Sequence, residues 1–250
     1  MKIYRWQKES SLCYDDKKSA VVFTSDCFDN CGFCSHNHEL KYTEGRVDQK
    51  EILRYLNSSK DRIQGVVIAG EETTNQPGLV DFVKEVKDLG FLVKLYTNGT
   101  KYKVLQELKN EKLIDYISMD VKGPIELYPL ITKEARPIKI RDNIGKSISL
   151  ISQFPEHEFR TNLSVIYQDN KPRWINHEEI GETAKLIRDW AVKTCEIRYF
   201  LQTFKAGNNK KGDERFMKRS LPEEFHETPL EHIDKCLIEA QKHIPNTQIR

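Results

Sequence analysis

The sequence lacks the features of a membrane, secreted or nucleic-acid-binding protein. No window approaches the roughly 20 apolar residues of a membrane-spanning helix, and the first eight residues, MKIYRWQK, contain no apolar signal core. The 40 basic residues are nearly balanced by 38 acidic residues, so the composition does not indicate a basic surface for nucleic acid. We therefore expect a cytoplasmic protein that binds neither membrane nor nucleic acid.

Cysteines are few, and half of the six are isolated in the sequence. The isolated ones are Cys13, Cys195 and Cys236. Single thiols of this kind are usual in a reducing compartment, in agreement with a cytoplasmic location. The other three, Cys27, Cys31 and Cys34, lie within eight residues at the spacing C-x3-C-x2-C. Gly32 removes a Cβ from the tight bend that brings three such sulfurs to one side of a loop.

Short apolar runs alternate with amphipathic helical patterns along most of the 250 residues. The predicted strands lie at 20–24, 64–69, 91–96, 116–119, 158–165 and 197–202. The predicted helices start near Asp48 and at Pro77, lie at 101–110, 141–152 and 177–191, and end with one capped by Thr228. Six strand–helix units fall short of the eight of a closed barrel, so the pattern predicts an α/β fold, a partial (β/α)6 TIM-like barrel with parallel strands.

The predicted domain covers residues 1–206. Its opening segment, residues 1–19, is expected to add an edge strand, and residues 207–250 are expected to form a polar loop and a C-terminal helix packed on the same domain. In parallel sheets the ligand site lies at the carboxyl ends of the strands. The cysteine loop follows the first predicted parallel strand, so we expect it to share one site with the residues that follow each later strand.

The residues of the cysteine loop alone allow three interpretations. Buried packing thiols have no reason to cluster in a loop. A structural zinc site could add His36 or His38 to the three thiolates, although zinc motifs usually carry a second cysteine pair, and none is present. The third interpretation is a [4Fe-4S] cluster with three irons bound by cysteine and the fourth iron open to a small molecule. For the two histidines, a polar loop covering the cluster is the preferred interpretation.

The cysteine motif, with Phe33 before its last cysteine, resembles that of the radical S-adenosylmethionine superfamily. Within it the chain is similar to the activating proteins of anaerobic ribonucleoside-triphosphate reductases and, more distantly, to pyruvate formate-lyase activating enzymes. The resemblance covers roughly residues 6–207. The matching stretches lie at 20–24, 36–40, 65–68, 89–95, 97–100, 119–122, 159–161 and 201–202.

This resemblance implies two cofactors, a [4Fe-4S] cluster and S-adenosylmethionine. It implies an enzyme that reductively cleaves S-adenosylmethionine to a 5′-deoxyadenosyl radical and generates a glycyl radical on a partner. The implied partners are a glycyl radical enzyme, the anaerobic ribonucleotide reductase large subunit, and a low-potential electron donor such as flavodoxin or ferredoxin. The alternatives are a radical reaction on another protein, peptide or small molecule, or a degenerate homologue that only binds cluster, cofactor or partner.

The resemblance also implies which residues act. The cluster ligands, counted as catalytic and metal-binding, are Cys27, Cys31 and Cys34. The residues implied to contact S-adenosylmethionine follow the successive strands, and they are Gly70, Glu72, Thr97, Asn98, Asp120, Lys122, Arg160 and Gln202. For Asp120 and Lys122, a simple salt bridge at the strand end is the alternative interpretation.

The chain departs from the family's motifs at three places. Glu71 and Thr73 replace the second glycine and the proline of the motif S-G-G-E-P, and Tyr96 replaces the acidic residue of D-T-N-G. Glu71 brings bulk and charge to a position where the family's backbone approaches the cofactor closely. These three residues motivate the hypothesis of a degenerate homologue, and the loss of the acidic residue removes the reason to expect the monovalent cation of some relatives.

Overall fold

The computed structural model describes residues 1–25, 47–131, 137–169, 171–205 and 222–250. The three clustered cysteines, His36 and His38 therefore lie outside the described residues, as does the predicted polar loop.

An eight-stranded sheet organises the described residues, and a two-stranded hairpin stands beside it. The strands are β1 Ile3–Ser10, β2 Ser19–Thr24, β3 Gly65–Gly70, β4 Leu92–Thr97, β5 Tyr116–Asp120, β6 Glu156–Leu163, β7 Val165–Gln168, β8 Lys171–Trp174, β9 Tyr199–Thr203 and β10 Gln248–Ile249. The sheet has the order β1-β2-β3-β4-β5-β6-β9-β10, and all its neighbours are parallel except β1 and β2. This confirms the predicted α/β partial barrel and the edge strand, whereas the β7–β8 hairpin was not predicted.

Seven α-helices connect and cover these strands in the described ranges. They are α1 Gln49–Asn57, α2 Leu79–Asp88, α3 Tyr102–Asn110, α4 Tyr128–Ile131, α5 Pro137–Ile151, α6 His177–Trp190 and α7 Leu230–Gln241. Asp48 caps α1 as predicted, because its carboxylate accepts the Lys50 N–H at 2.9 Å. The α6 helix starts with a capping box in which Asn176 and Glu179 bond reciprocally.

Two predicted helix starts are wrong. The α2 helix begins at Leu79 rather than at Pro77, because Gly78 takes a left-handed conformation with φ 79° between them. Thr228 does not cap α7, which has no side-chain cap and begins at Leu230. The Thr228 hydroxyl instead accepts the Phe204 N–H at 2.8 Å and ties the end of β9 to the segment before the helix.

The two faces of the sheet have different chemistry. The face toward the helices is apolar, as with Val22, Ile68 and Leu95, which are completely buried against helical side chains. The inner face carries Val21 and Val67 but also polar and charged side chains, described below. Because side chains alternate along each strand, a single register produces an apolar outer layer and a chemically varied interior.

Three further features bear on the expectations from sequence. No helix in the described part of the chain is both long enough and apolar enough to cross a membrane. The isolated cysteines Cys13, Cys195 and Cys236 are free thiols, and Cys236 is completely buried. The last helix, α7, packs against α6, and β10 extends the sheet beyond β9.

Candidate active site

The first wall of the site is the turn at the end of β3. Gly70 has φ 115°, and a Cβ at this position would collide with the backbone of Thr24 at the end of β2. Only glycine meets both conditions without strain. From the family resemblance, the backbone at Gly70 was expected to approach the cofactor closely. The structure adds that Gly70 brings the ends of β2 and β3 together.

Glu72 joins this turn to the loop after β4. Its side chain is buried, and its carboxylate accepts the Thr97 hydroxyl at 2.7 Å, the Asn98 N–H at 2.6 Å and the Thr74 N–H at 3.1 Å, together with the Thr74 hydroxyl. Burial raises the pKa of Glu72, while these donated hydrogen bonds oppose the shift. Glu72 therefore acts on the site by holding two loops together.

The side chains of Thr97 and Asn98 also shape the loop that carries them. Besides donating to Glu72, the Thr97 hydroxyl accepts the Gly99 N–H at 3.1 Å. The Asn98 Oδ1 accepts the Thr100 N–H at 2.9 Å and the Thr100 hydroxyl at 2.7 Å, an Asx-type turn. The loop is thus fixed by its own side chains at the carboxyl end of β4.

Two of the three departures from the family's motifs are in contact. The Thr73 hydroxyl donates to the backbone carbonyl of Tyr96 at 2.6 Å, and Thr73 is completely buried. The Tyr96 hydroxyl donates to the Cys13 carbonyl at 3.2 Å, and the Arg160 guanidinium lies 4.4 Å from the centre of the Tyr96 ring. Tyr96 is therefore a platform for Arg160, through a cation–π contact.

Asp120, Lys122 and Arg160, three of the residues implied to contact the cofactor, form one charged cluster. Arg160 Nη2 lies 2.7 Å from Asp120 Oδ1, and Lys122 Nζ lies 3.1 Å from Asp120 Oδ2. Burial alone would raise the pKa of Asp120, but the two cations lower it to about 2. The alternative interpretation of a strand-end salt bridge is thus present in the structure. Arg160 and Lys122 thus both pair with the carboxylate of Asp120.

Three buried polar side-chain atoms on β6 have no hydrogen-bond partner in the described part of the chain, and two of them, on residues after His157, lie toward its carboxyl end. These two are Arg160 Nε, a donor, and Asn162 Oδ1, an acceptor. The two residues lie on the same face of the strand by its two-residue period. Asn162 is paired in register with Gln202 on β9, the predicted contact furthest along the sheet. Asn162 was missed from the sequence, although its spacing from Arg160 would have indicated it.

Below this rim, a second layer of charged and aromatic side chains fills the inner face. The buried Glu158 carboxylate accepts the Tyr116 hydroxyl at 2.7 Å, the Ser118 hydroxyl at 2.8 Å and Arg250 Nη1 at 2.9 Å. Lys94 Nζ lies 4.0 Å from the centre of the Tyr116 ring, and burial lowers the pKa of Lys94. We call Lys94, Tyr116, Ser118, Glu158 and Arg250 the interior floor. None of them was predicted as part of the site.

With this geometry established, the chain can be compared with known proteins. Residues 21–167, more than half of the chain, match the model of the Radical SAM superfamily. The chain belongs to the radical SAM superfamily. Membership implies a [4Fe-4S] cluster and S-adenosylmethionine as cofactors.

Two similar proteins of Methanocaldococcus jannaschii carry the provisional name of glycyl-radical enzyme activating enzyme. One is 29% identical over 245 residues, which are 96% of this chain and 92% of that protein. The other is 25% identical over 239 residues, 94% of this chain and 86% of that protein. The similarity thus spans nearly the whole length of this radical SAM protein and of both relatives.

Solved structures agree on the fold. A spore photoproduct lyase with bound S-adenosylmethionine aligns with a TM-score of 0.59 at 10% identity, over 98% of this chain and 80% of that one. Streptococcus suis SuiB with its precursor peptide aligns with a TM-score of 0.58 at 17% identity, over 92% of this chain and 48% of that one. At these identities the similarity concerns the fold alone.

The described residues of this radical SAM protein fit the methionine end of its cofactor. In the described residues the Arg160 Nε–H has no hydrogen-bond partner, and it is a donor suited to a carboxylate. The left-handed Gly70 brings a bare backbone to the same rim. The guanidinium donor suits the carboxylate of an amino acid, whereas its ammonium group needs acceptors such as backbone carbonyl oxygens.

Proposed function

We propose that this protein reductively cleaves S-adenosylmethionine to a 5′-deoxyadenosyl radical and generates a glycyl radical on a partner enzyme, the large subunit of anaerobic ribonucleoside-triphosphate reductase. The observation that carries the proposal is the similarity to provisionally named glycyl-radical enzyme activating enzymes over 96% of this chain and 92% of the relative. Such coverage leaves no large segment unmatched in either chain that would form a separate substrate domain.

In this proposal the cluster is bound by Cys27, Cys31 and Cys34. Arg160 and Lys122 hold the methionine carboxylate, with Asp120 fixing the positions of both cations. When bound, the cluster and S-adenosylmethionine supply the radical chemistry, and the protein contributes placement and exclusion of water.

The remaining predicted contacts follow the same rim. Gly70 presents backbone to the methionine ammonium group, and Thr97, Asn98 and Gln202 line the side toward the ribose and adenine. Glu72 acts through the loop that it holds, since its oxygens are used by Thr74, Thr97 and Asn98. The orphan Asn162 Oδ1 beside Gln202 adds an acceptor on that side.

The interior floor closes the inner face from below, so a substrate has to enter from the carboxyl ends of the strands. At the level of Lys94, Tyr116 and Glu158 the inner face is occupied by buried side chains in mutual contact. A reacting group has to approach above that level, next to the charged cluster. A glycine on a segment of a partner protein meets this requirement, because it presents a single Cα–H without a bulky side chain. The electron donor in this proposal is a low-potential protein such as flavodoxin or ferredoxin.

A degenerate homologue that binds cofactor without turnover is the competing function, and Glu71 is the residue that favours it. The other two departures do not support it equally, because Thr73 and Tyr96 make specific contacts with each other and with Arg160.

The test is anaerobic reconstitution followed by S-adenosylmethionine, a reductant and the purified reductase. We expect an iron–sulfur absorption spectrum, release of 5′-deoxyadenosine, and a glycyl radical in the electron paramagnetic resonance spectrum of the reductase. The variant Cys31→Ala should lose all three, whereas Cys195→Ala, which removes an isolated thiol, should retain them. A reconstituted cluster that cleaves no S-adenosylmethionine contradicts the enzyme function. Cleavage without a radical on the reductase contradicts the partner.

A further inference from the structure

Gln76 joins three segments of the chain beside the proposed cofactor site. It follows the short 3-10 turn Thr73–Asn75 after β3, and it is 5% exposed. Its Oε1 accepts the Lys2 N–H at 2.9 Å, and its Nε2 donates to the Ser25 carbonyl. These contacts span 74 and 51 residues of sequence, so they are tertiary links.

The three residues form a closed ring of hydrogen bonds. Ser25 donates its N–H to the Lys2 carbonyl at 3.1 Å, Lys2 donates to Gln76, and Gln76 donates back to Ser25. Ser25 is completely buried. Each member thus has both a donor and an acceptor satisfied within the ring, and loss of the central amide removes the donor to the carbonyl of the buried Ser25 and the acceptor of the Lys2 N–H.

This ring of hydrogen bonds lies at the carboxyl end of β2. Ser25 follows the last residue of β2 and precedes Cys27 by two positions in the sequence. The segment that carries Gln76 also carries Glu72 and Thr73, which bond the loop after β4. One short segment therefore contacts both Ser25 at the end of β2 and the loop that lines the rim.

We propose that Gln76 is a positioning residue, which fixes the start of the cysteine motif relative to the cofactor rim. Its side chain sets the position of Ser25 against Glu72 and Thr73, and through them the position of the cluster against S-adenosylmethionine. This inference rests on cluster binding by Cys27, Cys31 and Cys34, as proposed above, and is independent of the partner's identity.

The experiment compares two substitutions of Gln76 with a matched control in the full reconstituted chain. Gln76→Leu removes both contacts. Gln76→Glu keeps the acceptor for the Lys2 N–H and removes the donor to Ser25. The control is Gln64→Leu, since Gln64 Oε1 accepts the backbone N–H of Lys18 at 2.8 Å at the opposite, amino end of β3. The readouts are the rate of cluster extraction by an iron chelator and the change in the spectrum of the reduced cluster when S-adenosylmethionine is added.

We expect Gln76→Glu to lose the cluster about tenfold faster than the unmodified protein, the factor expected for one lost buried hydrogen bond, and Gln76→Leu to lose it at least as fast. We also expect S-adenosylmethionine to change the spectrum of the reduced cluster less in these variants, because the cluster is displaced relative to the residues that bind S-adenosylmethionine. Gln64→Leu should change neither readout by more than about twofold.

Two results would overturn the proposal. One is an unchanged extraction rate and spectrum in Gln76→Glu, which keeps the contact to the Lys2 N–H and is informative if Gln76→Leu fails to fold. The other is an equal effect of Gln64→Leu at an equal loss of melting temperature, which would make Gln76 only structural. Failure of the unmodified protein to assemble a cluster would instead contradict the cluster assignment.

Discussion

The Thr73 hydroxyl and the Tyr96 carbonyl are 2.6 Å apart and hydrogen-bonded, so two departures from the family's motifs are in direct contact. A proline at position 73 would restrict the backbone but offer no donor. Threonine replaces that restriction with a bond to β4. The turn after β3 and the end of β4 are therefore joined both here and through Glu72.

Removing the Thr73 hydroxyl should loosen this junction. Thr73→Val keeps the shape but leaves the Tyr96 carbonyl without this donor, at a cost of about 1–3 kcal/mol in the free energy of unfolding. The affinity for S-adenosylmethionine, measured calorimetrically under anaerobic conditions, should fall several-fold. Thr183→Val is the control, because the buried Thr183 hydroxyl also donates to a backbone carbonyl at 2.6 Å but lies on α6. Equal affinities in the two variants would contradict a role of Thr73 at the rim.

The hydroxyl and the ring of Tyr96 make separate contacts, which two substitutions can distinguish. Tyr96→Phe removes only the bond to the Cys13 carbonyl, and it should change the affinity for S-adenosylmethionine by less than about twofold. Tyr96→Leu also removes the ring under Arg160, and the lost cation–π contact should weaken binding by about 0.5–2 kcal/mol. Binding titrations of both variants decide this, and a larger effect for Phe than for Leu would disprove the platform.

The charge of Asp120 should stabilise the fold in a defined pH range. Arg160 and Lys122 hold its pKa at about 2 against the opposing effect of burial. A carboxyl whose pKa is lowered in the folded state stabilises the fold above its ordinary pKa, near 4, and loses that contribution as the pH falls toward 2. Asp120→Asn should therefore lower the free energy of unfolding by about 1–2 kcal/mol at pH 6, after allowance for partial exposure.

Urea unfolding of both proteins between pH 7 and pH 3 measures this difference, with circular dichroism confirming a folded start at each pH. The difference should be constant from pH 7 to about 5 and shrink below about 4. A difference that grows as the pH falls would show that Asp120 is not held ionised by the two cations.

The interior floor should contribute to stability without contacting the cofactor. Glu158→Ala removes the acceptor of Tyr116, Ser118 and Arg250 and leaves the buried Tyr116 and Ser118 hydroxyls without it, at a cost of about 3–5 kcal/mol. For a chain of this size that corresponds to a fall in melting temperature of roughly 10 °C. The affinity for S-adenosylmethionine below the transition should stay within about threefold of the unmodified protein. A much larger loss of affinity would place Glu158 in the cofactor site.

Local patterns in the sequence predicted much of the fold and part of the site. The alternation of β-branched runs with amphipathic helices fixed the parallel sheet, and the two-residue period placed Asp120 and Lys122 on the same side. For Arg160 the family resemblance implied a cofactor contact, and the structure shows an ion pair with Asp120 on the neighbouring strand. The parallel sheet was predictable because each of its elements depends on one strand or on adjacent strands.

Contacts between distant segments could not be predicted in this way. Nothing near Gln76 in the sequence indicates Lys2 or Ser25, and nothing near Thr228 indicates Phe204. Lys94 and Glu158 lie within predicted strands, but only the register of the sheet brings them onto one buried inner face. Glu72 resembled a cofactor ligand by motif, and only the tertiary structure shows that protein donors use its oxygens.

The most direct test of the proposed function follows one hydrogen atom. The anaerobic reductase is prepared with glycine deuterated at the α-carbon and mixed with the reconstituted protein, S-adenosylmethionine and a reductant. Mass spectrometry of the released 5′-deoxyadenosine then shows the source of the hydrogen. Our account predicts 5′-deoxyadenosine that carries one deuterium. Unlabelled 5′-deoxyadenosine, formed in the presence of the labelled reductase, would contradict it.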